Sequence, residues 1–98
     1  MAQIVYSQNA LTNLERVFDF LAEHELQAAL DAARSMVEAI NTLSNHPLIG
    51  RTVVGELREL VISYGKTGYI ALYRFLPVQD QVRILAIRHQ RELDYPLE

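Results

Sequence analysis

The sequence has no cysteine. That excludes disulfide frameworks, thiolate zinc sites and cysteine nucleophiles, and it fits a reducing compartment. It has no apolar run near the roughly 18 residues a membrane helix needs, because Arg, Glu or Asn interrupts each long stretch. Its first residues, Met1-Ala2-Gln3-Ile4-Val5-Tyr6, carry no basic segment and no signal-cleavage pattern. We therefore expect a cytoplasmic protein that makes no membrane contact. Lysine is nearly absent: eight of the nine basic residues are Arg, which favours directed, bidentate contacts over diffuse charge. A net charge of −3 argues against a broad basic surface for nucleic acid, although a small arginine-rich site remains open. The charge is uneven, with Arg16 and Arg34 set against six acids in residues 1–50 and a slight basic excess in residues 51–98.

Several catalytic motifs are missing as well. Ser7, Ser35, Ser44 and Ser63 lack a Gly-x-Ser-x-Gly setting. Gly65-Lys66-Thr67 imitates the end of a phosphate-binding loop, but Leu60 stands where the first glycine is needed and a strand rather than a helix follows. His24, His46 and His89 have no local metal-ligand spacing. No metal or cofactor is expected.

What is present reads as one domain over residues 1–98, about the commonest size. Gln3-Ile4-Val5-Tyr6 is a short β-favouring segment, and Ser7 is a helix N-cap. Leu11, Leu14, Phe18, Leu21 and Ala22 recur at helical spacing, ending near Glu23-His24-Glu25. Leu26, Ala29, Leu30, Ala33, Met36, Val37, Ile40 and Leu43 then form a second stripe, which Ser44-Asn45-His46-Pro47 terminates. So short a connection predicts an antiparallel helical hairpin over about 8–45. After Pro47 the period changes to two. Gly50 and Gly55 bracket a loop, and three strands follow at 57–64, 69–76 and 81–88, with turns at Gly65–Gly68 and Pro77–Asp80. The fold class is α+β in the order β-α-α-β-β-β, a helical hairpin on one face of a small, mainly antiparallel sheet. The meander spans about 57–88, and a polar tail occupies 89–98. We expect Leu11, Leu14, Phe18, Leu21, Leu30, Val37, Ile40, Val61, Leu72, Ile84 and Ala86 in the core.

The chemistry concentrates late in the chain. Arg58, Arg74 and Arg88 lie one in each strand, and His89, Arg91 and Tyr95 follow. Each Arg alone reads as an ordinary surface residue. Together they offer a set able to bind phosphate, or to cleave RNA without a metal. His89 would act as general base or acid, Arg74 and Arg91 would hold the scissile phosphate, and Tyr95 would stack or move a proton.

The layout resembles the ParE/RelE superfamily of type II toxin–antitoxin toxins, within it the plasmid-stabilisation group. The resemblance rests on Leu43-Ser44-Asn45-His46-Pro47-Leu48-Ile49-Gly50-Arg51, Leu57-Arg58-Glu59-Leu60, Gly68-Tyr69-Ile70-Ala71-Leu72-Tyr73-Arg74-Phe75 and Val82-Arg83-Ile84-Leu85-Ala86-Ile87-Arg88-His89. It implies a growth-arresting toxin neutralised by a cognate antitoxin from an adjacent gene, with DNA contacted only through that antitoxin. ParE-like members poison DNA gyrase, and such a chain would be no enzyme. Arg58, Arg74, Arg88 and Arg91 would then be target- or phosphate-binding residues. RelE-like members are ribosome-dependent mRNA endoribonucleases, for which His89, Arg74, Arg91 and Tyr95 are the catalytic candidates. The loop Thr52-Val53-Val54-Gly55 lacks the lysines of many ribonuclease members, and the acidic chain is ill suited to rRNA, so the resemblance points to the ParE side. The plain alternative is a non-toxic α+β interaction domain.

Overall fold

A computed structural model describes residues 1–98 except Gly65, Lys66, Leu93, Pro96, Leu97 and Glu98. Strand β1 (Gln3–Tyr6) leads into helix α1 (Gln8–Ala22). Ser7 is its N-cap, accepting the Ala10 amide on its Oγ at 3.0 Å. Helix α2 (Leu26–Asn41) follows after three residues, and a 3-10 turn (Thr42–Ser44) closes it before Pro47. The remaining strands are β2 (Arg51–Thr52), β3 (Leu57–Tyr64), β4 (Thr67–Leu76) and β5 (Gln81–His89).

They form a five-stranded sheet in the order β1-β5-β4-β3-β2. β1 runs parallel to β5, and every other pair is antiparallel. The α+β class and the hairpin-on-sheet layout stand as expected. Two local readings are corrected. The loop bracketed by Gly50 and Gly55 contains β2, which pairs with Arg58 and Glu59. Thr67 and Gly68 belong to β4 and not to a turn; the rest of that expected turn, Gly65 and Lys66, lies outside the described residues.

α1 packs over β5 and α2 over β3. The core between them holds Met36, Ile40, Leu43, Tyr73, Val82, Ile84 and Ile87, all essentially solvent-free. Of the expected core residues, Ile40, Ile84 and Ala86 are buried, while Leu14, Phe18, Leu21 and Leu72 are half-buried. Four are exposed instead: Leu11 (46%), Leu30 (43%), Val37 (41%) and Val61 (51%). The helices present faces rotated from the largest-residue stripes. α2 buries Ala29, Ala32, Met36 and Ile40, and α1 buries Ala10 and Asn13; alanine at these positions lets backbones approach closely. Val61 points away from the helices, as strand alternation from buried Ile62 requires.

One irregularity sets the geometry of everything downstream. Between the pairs Tyr73↔Ile84 and Leu72↔Ala86, Leu85 has no partner, which makes a β-bulge. β1 ends at Tyr6, opposite Ile84, so among the described residues the β5 edge beyond it has no strand beside it. Side chains from the start of α1 take over. Ser7 Oγ and Asn9 Nδ2 donate to the Leu85 carbonyl at 3.0 and 3.2 Å. Asn13 Oδ1 accepts the Ile87 amide at 2.8 Å. Before the bulge, Val82 and Ile84 face the helices; after it, Ile87 does.

Candidate functional site

Because of the bulge, His89 falls on the helix side of the sheet and Arg88 on the open side. His89 pairs with Tyr69 in register, and their rings meet edge to face at 5.4 Å. Its Nδ1 accepts the Arg91 amide at 3.1 Å, which fixes the ring's orientation. Its own amide donates to Glu92 Oε1 at 2.9 Å. His89, Arg91 and Glu92 line one wall of a groove of about 500 Å³; Arg16, Val17, Phe20 and Leu21 of α1 line the other, above Tyr69.

On the open side the centre is a glutamate that the sequence reading passed over. Glu59 is 8% exposed. Its Oε1 accepts from Arg51 Nε and Nη2, at 3.0 and 2.9 Å. Its Oε2 accepts the Tyr95 hydroxyl at 2.6 Å and lies 3.9 Å from Arg88 Nη2. Burial alone would raise the Glu59 pKa, but the hydrogen bonds from Tyr95 and Arg51 and the charges of Arg51 and Arg88 outweigh it, so the carboxyl titrates below the ordinary range. Tyr95 shifts the other way. Burial, its bond to Glu59 and the Glu59 charge push its hydroxyl well above the usual tyrosine value, against the pull of Arg88. Arg88 lies over the Tyr95 ring, 5.1 Å from its centre, and donates to the Glu92 carbonyl at 2.6 Å.

The candidate residues therefore divide. Arg58 pairs with Tyr73 and shares its helix-side face, whereas Arg74 pairs with Leu57 and faces the open side. Arg58 serves the loop: its Nη1 donates to the carbonyls of Leu48 and Gly50 at 3.1 and 2.8 Å. Beside it, the Tyr73 hydroxyl accepts the Gly50 amide at 2.9 Å and donates to the Pro47 carbonyl at 2.8 Å. Arg74 is half-exposed and ion-paired to Glu56 at 2.6 Å. His89 and Arg91 share the groove; Arg74, Arg88 and Tyr95 are on the other face. The three strand arginines do not gather around one point. No group of three or more His, Asp or Glu among the described residues is placed to hold a metal ion. Nor is any helix among them long and apolar enough to cross a membrane.

Known proteins agree with this architecture. A family model described as the ParE toxin of the type II toxin–antitoxin system parDE matches residues 4–94. The chain belongs to the ParE toxin family. Two relatives come from Caulobacter vibrioides. Toxin RelE2 is 31% identical over 93 residues, covering 95% of this chain and 100% of that one. Toxin RelE3 is 37% identical over 82 residues, covering 84% of each. A solved structure described as the chromosomal ParDE system from P. aeruginosa superposes with a TM-score of 0.74 at 22% identity, over 91% of this chain and 96% of that one, which shows a shared fold. Membership makes this ParE-family chain a toxin of a type II toxin–antitoxin system, with a cognate antitoxin as partner.

Proposed function

We propose that this toxin arrests growth by binding DNA gyrase, and that it works through surface contacts without acid–base chemistry of its own. The observation that carries the reading is the separation of the residues a ribonuclease would need. Metal-free RNA cleavage requires a base, an acid and a cation around one phosphate. Here His89 and Arg91 lie on one side of the sheet, and Arg74 and Tyr95 on the other. Tyr95 is a poor proton shuttle, since its hydroxyl is committed to Glu59 and its pKa is raised. The antitoxin would be encoded next to the toxin, and contact with DNA would run through it.

A second reading has its own support. The curated relatives carry the RelE name, and His89 meets Arg91 and Arg16 along one groove. In that reading the chain is a ribosome-dependent mRNA endoribonuclease, centred on His89.

Expression without antitoxin separates the two when transcript ends and chromosome breaks are followed in the same cells. We expect intact transcripts, double-strand breaks and filamentation, and inhibition of purified gyrase that survives His89→Ala. Transcripts cut within codons, abolished by His89→Ala, would overturn the proposal. So would growth that continues unaffected, as a non-toxic interaction domain requires.

A further inference from the structure

The groups around Glu59 are more than an ordinary ion pair needs. Arg51 on β2 turns two donors, Nε and Nη2, onto Oε1 at 3.0 and 2.9 Å. The Tyr95 hydroxyl donates to Oε2 at 2.6 Å, a length typical of a bond to an ionised oxygen. Arg88 on β5, its side chain only 14% exposed, faces the same oxygen. One carboxylate thus draws two guanidiniums and a phenol from three separate parts of the chain. Guanidinium forks match carboxylate and phosphate alike. Here the carboxylate fills the set incompletely. Arg88 Nη2 stops 3.9 Å from Oε2, beyond hydrogen-bond reach. Both carboxylate oxygens are already engaged, so this ligand has nothing further to offer. A tetrahedral anion would bring more oxygens to that guanidinium. A phosphate group would also bring more negative charge, against two arginines that one carboxylate balances only in part.

We propose that Arg51, Arg88 and Tyr95 form an oxyanion site of the phosphate class, which the chain keeps filled with its own Glu59 carboxylate. Glu59 is then an autoinhibitory contact: it shuts the centre of the open face to phosphate groups. Its hold is strong for a geometric reason. β3 pairs with β2 at Arg51↔Glu59 and with β4 at Glu59↔Leu72, so the carboxylate is fixed in place from both sides. A free anion competes against a ligand that has already lost its freedom to move. Without the carboxylate, the two guanidiniums would face each other with no anion between them. Stranding charge in this way is strongly destabilising, and an incoming anion would relieve it. Arg51 is 60% exposed, so the emptied position would lie open to solvent. The site is tested on purified toxin, with neither gyrase nor ribosome present, so its failure leaves the choice of target untouched.

Glu59→Ala removes the carboxylate and leaves the donors. Urea unfolding of the full-length native and Glu59→Ala proteins is followed near neutral pH in chloride, acetate and inorganic phosphate. Ionic strength is held equal, which removes differences in screening. The native protein in the same buffers measures the general effect of each salt. We expect Glu59→Ala to be weakened in chloride and restored by phosphate. Past saturation, each tenfold rise in phosphate should raise its folding constant about tenfold, as one bound anion requires. The native folding constant should not follow phosphate in this way. Acetate, with two oxygens, should restore less than phosphate, and adding Arg51→Gln to Glu59→Ala should abolish the dependence. If Glu59→Ala does not fold in chloride, Glu59→Thr supplies a strand-favouring side chain too short to reach the arginines. Variants no more sensitive to phosphate than the native chain would overturn the site. So would variants that stay unfolded in phosphate, or a dependence that survives Arg51→Gln. Acetate restoring as much as phosphate would overturn the assignment to a tetrahedral anion.

Discussion

At the scale of single residues, Glu59 and Tyr73 do most of the organising, and neither stood out as a site residue. The signal for Glu59 was an acid inside the apolar strand segment Leu57–Ile62. Acids are seldom buried unless paired, so the position called for a partner; the partners, Arg51 and Tyr95, are 8 and 36 residues away. The lowered Glu59 pKa has a definite consequence for stability. The folded value lies below the ordinary 4.5, so its contribution is complete above the unfolded pKa and is lost as pH falls through the folded one. Native protein and Glu59→Gln, compared by urea unfolding, should differ by a constant amount at pH 5.5–7. The gap should shrink as pH falls below about 4.5. Tyr73 predicts a different loss. Tyr73→Phe strips the hydroxyl that bridges Gly50 and Pro47, which should cost ~1–3 kcal/mol and raise amide exchange at Gly50. Gly50→Ala should be at least as damaging. An added Cβ would come within 2.5 Å of the Tyr73 ring and 2.8 Å of the Glu59 carbonyl oxygen, and backbone on that side cannot yield.

At the scale of elements, the sequence reading located both helices and the three long strands, because each has a strong period and a chemical stop. Ser7 caps as its position implied, and Pro47 follows the end of the second helix. What escaped was set by pairing. β2 is two residues long and exists through its bonds to β3, so no local pattern could reveal it. The faces of α1 and α2 escaped for another reason. The largest apolar residues mark a stripe, but contact selects the small ones where helices and sheet must approach. The substitution of side chains for a strand along β5 also has no local signature. It gives a prediction of its own. Asn13→Ala leaves the buried Ile87 amide without its acceptor and should cost ~1–3 kcal/mol. Hydrogen exchange at Ile87 should rise more than at Val82 or Ile84, which β1 still covers.

At the scale of the whole molecule, the layers and the family were legible, because the order of elements and the segments around Pro47, Tyr73 and His89 belong together. The candidate site was only half legible. Six residues were named from composition and order, and the fold divides them between two faces; sequence proximity cannot report this when a side-chain period of two is broken once. That break is Leu85. With Leu85 taken into the ladder, strict alternation would put Arg88 under the helices and His89 over the bare side. Excising Leu85 would do the opposite of that: Ala86 would follow Ile84, the later pairs with β4 would keep their register, and Arg88 and His89 would stay on the faces they now occupy. The smallest in-frame deletion a gene can suffer at this point would therefore erase the bulge and leave the division of chemistry between the two surfaces intact.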